Sequence, residues 1–318
     1  MSEGHCEGVG PGAAELVAVA PGVYAWIQPD GSWWINNAGA ITGGGEAFVV
    51  DTCATAERTA RFFEALAAAS PGDRITRAVN THEHGDHTYG NVLLPEDAEL
   101  IGHPVMAEHL EADFLIDGCP PIWEPVPDWG VPGRRVPTTL VADRATYELG
   151  GHEVQLMHPG HAAHTEGDLV AFVADVGVLF SGDLIFHGLT PLVFAGSIDG
   201  ARRALRWIGE LAPAVLVPGH GPLVTAPQLT SVLADHEAYL GMVQDLADAG
   251  LAAGKAPLEV AEAADLGRFA AWADAERLVL NLHRAYADAK GSELDALAAF
   301  GDAMAFNGGP LTTHVCCA

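Results

Sequence analysis

The chain has 318 residues, 49% of them hydrophobic, which is enough to bury a large core in one big domain or two ordinary ones. Its 42 acidic residues against 15 Lys plus Arg leave a net charge of −27, a field that repels DNA, RNA and anionic membranes and argues against binding to a phosphate backbone. No apolar run reaches the length of a transmembrane helix. The first residues, MSEGHCEGVGPGAAELV, carry acids where a signal peptide would carry bases. The five cysteines fit neither a disulfide framework nor a CxxC metal site and read as reduced thiols, so a cytoplasmic protein is expected.

Residues 1–14 read as a Gly-rich lead-in. Short apolar runs follow, LVAVA, VYAWI, WWINNAGAI and AFVVDT, joined by turns at Pro29-Asp30-Gly31 and Gly43–Gly45, and they predict consecutive strands. ATAERTARFFEALAAA has helical spacing, with Phe62, Phe63, Leu66 and Ala69 on one face and Thr52 or Thr55 as cap. ITRAVN predicts a buried strand that delivers the chain to Thr81-His82. A strand is expected at 99–103, a helix at 104–112, and a long Pro-, Gly- and Trp-rich loop at 117–137, of the kind that serves as a lid or binding loop. Three more strands are expected at 152–158, 168–174 and 177–182, then a helix at 197–211 and a strand at 214–220. Helices at 227–250, 268–289 and 292–306 complete the chain. Alternating strands and helices followed by a run of helices predict an α/β sandwich with a helical appendage.

The densest chemistry is Thr81-His82-Glu83-His84-Gly85-Asp86-His87. Three imidazoles and a carboxylate fall within six residues, just after an apolar strand. Imidazole is the commonest metal ligand, and zinc takes N and O donors tetrahedrally. His82 and His84 are two apart, so an extended backbone aims both the same way, while Gly85 permits a tight turn into Asp86 and His87. One loop can thus serve two ions. His158, His161 and His164 compete for one further ligand place, Asp183 ends the run LFSGD, and His220 lies between glycines after AVLVP. Together these put His or Asp at four successive strand ends, where open α/β folds gather their sites.

The order THxHxDH, AHTxGD, SGD and GHG, carried by residues 81–87, 163–168, 181–183 and 219–221, resembles the metallo-β-lactamase superfamily. Val49-Val50-Asp51-Thr52 is similar to the strand before that family's first helix, where Asp51 would brace the metal loop. The resemblance implies a four-layer αββα sandwich over residues 15–225, with residues 226–318 as a helical extension packed on the same domain. It implies two zinc ions: His82, His84 and His164 on the first, Asp86, His87 and His220 on the second, and Asp183 bridging. His164 is the third ligand of the first zinc because it alone is followed by Thr-x-Gly, which leaves His158 and His161 around the site.

The expected chemistry is attack of a metal-activated hydroxide on an ester, thioester or lactam carbonyl, with Asp86 as the candidate to pass a proton. A narrower resemblance joins residues 188–197, 265–269, 274–285 and 305–311 to a helical extension of actinobacterial members, among them second-ring cyclase/thioesterases of aromatic polyketide pathways. It implies an aromatic or apolar acyl substrate, carried on an acyl carrier protein that would need the basic clusters Arg134-Arg135 or Arg202-Arg203-Arg206. Trp33, Trp34, Trp123 and Trp129 either line a pocket for such a substrate or belong to the core. Cys53 reads as a buried thiol, and a homodimer is a candidate assembly. The alternatives are a β-lactamase, a glyoxalase-type thioester hydrolase and, from another class, an iron-dependent persulfide-dioxygenase-like oxidoreductase, against which a seven-ligand set argues.

Overall fold

A computed structural model describes residues 13–315, so residues 1–12, with Cys6, and the tail Cys316–Ala318 lie outside the described residues. In chain order, β1 (Glu15–Ala20), β2 (Val23–Ile27), β3 (Ala38–Gly43) and β4 (Glu46–Val50) form an antiparallel meander. Helix α1 (Ala56–Ala69) then crosses over to β5 (Arg74–Val79), parallel to β4. One helical turn, α2 (Gly85–Thr88), precedes β6 (Glu99–Gly102), α3 (Pro104–Ala112) and the two-residue strands β7 (Trp123–Glu124) and β8 (Thr139–Leu140). Next come β9 (Arg144–Leu149), β10 (His152–Met157), β11 (Val170–Val173) and β12 (Val178–Phe186). Helix α4 (Ile198–Leu211) leads to β13 (Val215–His220) and β14 (Val224–Thr225). The chain continues with α5 (Ala226–Ala252), α6 (Pro257–Ala263), α7 (Arg277–Lys290), α8 (Ala296–Asn307) and β15 (Leu311–Thr312).

Two sheets result, ordered β1-β2-β3-β4-β5-β6-β8 and β14-β13-β12-β11-β10-β9. Their inner faces share one core, in which Ile41, Phe48 and Val50 of the first sheet meet Val154, Phe180 and Val217 of the second. Helix α1 covers the outer face of the first sheet. Thr55 caps it by accepting from the Arg58 N–H, and Phe62 and Leu66 are buried against Trp26 and Val49. Each such side chain contributes about 1.5–3 kcal/mol by burial. Helices α4 and α5 cover the outer face of the second sheet through Leu205, Ile208, Leu240 and Val243, and α7 packs on both helices, burying Leu282 in the same core. The four layers are those of an αββα sandwich, and the C-terminal helices form part of its last layer.

Several elements depart from the sequence expectations. WWINNAGAI is not one strand: Trp33–Trp34 form a turn with Trp34 in the left-handed region (φ 69°), and β3 begins only at Ala38. The reason lies in Asn36 and Asn37, whose amides donate to Thr52 O (2.7 Å) and to Pro218 O and Gly221 O (2.9 and 2.7 Å), tying the segment across to both sheets. The expected helix 268–289 is broken: a short 3-10 turn spans 267–271, Asp274 adopts φ 59°, and α7 starts at Arg277. β9 and α6 were not anticipated, and α8 begins four residues later than expected, at Ala296. β12 runs to Phe186, so Asp183 lies inside a fully buried strand rather than at its end. The loop 117–137 is largely irregular, but β7 within it pairs with β15 near the C-terminus.

Candidate metal centre

The site lies at one edge of the sandwich, where the loop after β5, the loop 158–168, β12 and the end of β13 meet. Two glycines permit this convergence. Gly182 adopts φ 50° with Thr81 packed against its Cα, and a Cβ at Gly219 would overlap the Asp183 carboxylate.

His82, His84, His164 and Asp183 bring one ligand atom each within 4.8 Å of one another, and so do Asp86, His87 and His220. All are buried except His84, which is partly exposed. In the first group, His84 Nδ1 is 3.0 Å from His164 Nε2, and Asp183 Oδ2 is 3.5 Å from His164 Nε2 and 3.9 Å from His82 Nε2. In the second, His220 Nε2 lies 3.1 Å from Asp86 Oδ2, and His87 Nε2 lies 3.8 Å from the same oxygen. Asp183 reaches this group too, with Oδ1 3.1 Å from His87 Nε2 and Oδ2 3.3 Å from His220 Nε2. The carboxylate therefore lies between the two groups.

The donor chemistry fits metal ions. Each inner imidazole can spend its other nitrogen on a fixed acceptor: His164 Nδ1 on Leu192 O (2.7 Å), His220 Nδ1 on Gly31 O (2.8 Å), and His87 Nδ1 on Asp51 Oδ2 (2.8 Å). The Nε2 atoms of these rings then face one another and the carboxylates, an arrangement that a bound metal ion would relieve. His82 Nε2, His87 Nε2 and Asp183 Oδ1 are buried without a hydrogen-bond partner. A tetrahedral ion bound at about 2.0–2.1 Å sets its donors about 3.3 Å apart, close to the separations seen here.

The same field acts on protons. Burial alone would lower His220, but Asp183 and Asp86 outweigh it and push it up to about 9. Burial would raise Asp86, but His87 and His220 bring it down to about 2. Burial dominates at His164, which falls to about 4.

Asp51 organises the metal loop. Its Oδ1 accepts from Thr81 N and its Oδ2 from the Thr81 hydroxyl, each at 2.7 Å, and Oδ2 also meets His87. His158 and His161 do not join the ligand groups: His158 stacks on His103 (ring centroids 4.5 Å apart) and its Nδ1 meets Asp168 O. Cys53 is buried, and desolvation raises its thiol.

A cavity of about 300 Å³ opens over the ligands, with His84, Asp86, Asp183 and His220 at its floor. Trp33, Trp34, Trp123, Phe186, Phe194 and Phe300 wall it. Trp129 does not line the cavity; it packs behind Trp34, ring centroids 4.6 Å apart, because the indole of Trp34 already fills that wall. Sequence reasoning missed much of the lining, Phe186, Phe194, His109, Phe300, Arg277 and Glu83 among it. Phe300 and Arg277 come from the C-terminal helices, and nothing in local spacing points to a distant site. Glu83 hides between two ligand histidines, where the notable feature is its neighbours. Four arginines of the two basic clusters are engaged within the chain: Arg134 pairs with Asp117, Arg135 donates to the carbonyls of Leu94, Pro95 and Ala98, and Arg202 and Arg203 pair with Glu237 and Asp199. Among the described residues no helix is long and apolar enough to cross a membrane.

A family model described as the metallo-beta-lactamase superfamily matches residues 31–220. The chain is 25% identical over 201 residues to the 2,4-dinitroanisole O-demethylase subunit alpha of Nocardioides sp. (strain JS1661), covering 61% of this chain and 54% of that protein. It is 30% identical over 170 residues to the hydroxyacylglutathione hydrolase of Rhodospirillum rubrum, covering 52% and 56%. The match thus spans about half the length of these curated relatives. The sec-alkylsulfatase Pisa1 from Pseudomonas sp. superposes with a TM-score of 0.66 at 15% identity, over 90% of this chain and 51% of that one. At that identity the likeness establishes the fold alone.

Proposed function

Because the chain belongs to the metallo-beta-lactamase superfamily, we propose that it is a dinuclear zinc hydrolase acting on the carbonyl of an ester or thioester whose acyl part is planar and apolar. One observation carries this reading: seven His and Asp side chains form two donor groups at the floor of a cavity walled by aromatic rings. His82, His84 and His164 would hold one ion, Asp86, His87 and His220 the other, and Asp183 would contact both. Bound there, the ions supply Lewis acidity and an activated water at neutral pH.

The chain's own residues do the rest. The Nδ1 partners of His87, His164 and His220 hold the rings in one tautomer and orientation. The indoles of Trp33, Trp34 and Trp123 and the ring of Phe300 exclude water and offer flat faces to an aromatic acyl group. Asp86 would help hold the second ion, and it is the carboxylate at the floor placed to take up a released proton. The aromatic walls, together with the C-terminal segments similar to polyketide cyclase/thioesterases, support an aromatic polyketide acyl thioester as the natural substrate class. A hydrolase of hydroxyacylglutathione among the relatives supports acyl chemistry more broadly.

The test is metal content by plasma mass spectrometry, paired with hydrolysis of an aryl thioester. Near two zinc per chain with turnover, and loss of one zinc and of turnover in His220→Ala, support the reading. One iron per chain without thioester hydrolysis overturns it in favour of an oxidoreductase.

A further inference from the structure

Above the metal-ligand floor sits a second, separate pair of titratable side chains. His109, on the cavity-facing side of α3, places Nδ1 3.0 Å from Glu83 Oε1, and both residues line the cavity next to His84 and Asp86. Glu83 is buried, and its Oε2 has no partner. The His109 side chain is 45% exposed, and among the described residues its Nε2 has no partner. This is the geometry of a carboxylate–imidazole dyad: the carboxylate holds the Nδ1 proton and fixes the ring, and Nε2 is left for exchange. Among the described residues no hydrogen bond or ion pair joins His109 to any of the seven candidate ligands.

We propose that His109, oriented by Glu83, is the proton donor to the leaving atom in the hydrolysis, acting over the metal floor without binding metal. The inference rests on the hydrolase reading above. In the step, the bond from the carbonyl carbon to the leaving oxygen or sulfur breaks and its electron pair stays on that atom. The Nε2 proton of the imidazolium moves to it, while a water oxygen bonds to the carbonyl carbon and releases one proton to solvent. Nε2 then regains a proton from solvent, so that ester and water become acid and alcohol.

The surroundings favour the charged imidazole. The hydrogen bond that His109 donates to Glu83 raises it above the ordinary histidine value against partial burial, and Glu166 and Glu108 push the same way. Asp113, at the end of α3, also lines this cavity, where it accepts from the Tyr89 hydroxyl at 2.7 Å.

The dyad widens the substrate class. A thiolate or nitrophenolate leaves without help, but an alkoxide does not, so a positioned acid makes alkyl oxygen esters substrates alongside thioesters. The experiment compares wild type and His109→Gln on ethyl and p-nitrophenyl esters of the same aromatic acid. Metal content and melting temperature are checked on both proteins. The half-exposed position makes folding of the variant a small demand. The expected result is a loss in kcat/KM of about 10²-fold on the ethyl ester and a much smaller loss on the p-nitrophenyl ester. The alkaline limb of the wild-type ethyl ester profile should also vanish in the variant. Equal losses on both esters with an unchanged pH profile would mean that the dyad only braces the metal loop, and would overturn the proposal. Failure of the metal-loaded wild type on both esters would overturn the hydrolase reading itself and this inference with it.

Discussion

Phe186 lies flat on His220: their ring centroids are 5.0 Å apart and their planes within 4° of parallel. His220 is thereby held from two sides, by the Gly31 carbonyl at Nδ1 and by the phenyl face. Groups that orient a ligand ring commonly change metal affinity 10–100-fold when removed. Phe186→Leu keeps most of the apolar volume but removes the flat face. Binding to the Asp86, His87 and His220 group should therefore weaken by about tenfold, read by competition with a chromogenic chelator, while the first ion stays. Unchanged affinity for both ions would show that the stacking is incidental.

Asp51 makes a second, more selective handle. It adopts φ 61°, a conformation that Asn tolerates, so Asp51→Asn should keep the backbone. The amide can satisfy the Thr81 groups or His87 Nδ1, but not all three acceptor duties of the carboxylate. The variant should retain about one metal per chain and lose hydrolysis by at least about 10²-fold. Metal stoichiometry after dialysis checks this, and two tightly held ions in the variant would contradict it.

The candidate ligand cluster was legible because metal-binding side chains are recognisable by residue type and spacing: seven His and Asp residues sit in short, glycine-punctuated motifs, and these motifs fold to one edge of the sandwich. The cavity walls were legible only in part. Trp33, Trp34 and Trp123 are unusual enough in type to attract attention, but nothing local separates them from Trp129, which packs one layer behind. Arg277 and Phe300 escaped because their role arises from a helix docking 200 residues or so away from the metal loop in sequence. The periodicity of residues 268–289 also concealed a break, because the left-handed turn at Asp274 is set by its partner Arg277 rather than by a Gly or Pro.

Phe300 tests whether the C-terminal helices shape the substrate. Its ring meets Trp123 edge-on at 5.6 Å and Phe194 at 5.2 Å, and it belongs to α8, far from the ligands in sequence. Loss of one apolar wall of this size is worth about 1.4 kcal/mol or more in binding. Phe300→Ala should raise KM for an aryl-acyl thioester by about tenfold and leave an acetyl thioester little changed. Equal effects on both substrates would place the aromatic acyl group elsewhere.

Arg277 binds the extension to the site. It is buried, donates from Nη1 to Thr190 O at 3.0 Å, and pairs through Nη2 with Asp274 at 2.8 Å. Its guanidinium lies 4.5 Å from the Trp33 ring and 5.2 Å from that of Phe186. Even beside this cation, burial holds the Asp274 carboxyl up at about 6. Removing the arginine leaves that carboxylate and the Thr190 carbonyl without a partner, so Arg277→Met should cost about 3–5 kcal/mol in urea unfolding. Adding Asp274→Asn should recover part of the loss. A double variant no more stable than the single one would mean that the lost ring contacts, rather than the stranded charge, set the cost.

His236 gives the stability a pH dependence of its own. It is buried on α5, where Nδ1 donates to Val232 O and Nε2 accepts from Phe186 N at 3.0 Å, so the neutral ring satisfies both neighbours. Burial lowers its pKa to about 4, and no carboxylate stands close enough to reverse this. The unfolded chain, with an ordinary histidine value near 6.5, binds the proton more readily than the folded one. Stability from this group is therefore complete above about pH 6.5 and is lost as the pH falls toward 4. The difference corresponds to about 3 kcal/mol. His236→Gln should be less stable at pH 7 but fall less steeply than wild type between pH 7 and 4.5, with urea midpoints read at each pH. His164, also held low, is common to both chains and cancels in the comparison. Parallel curves for the two proteins would show that His236 takes up its proton without disturbing Phe186, and that the link from α5 to the His220 ring is not under strain at low pH.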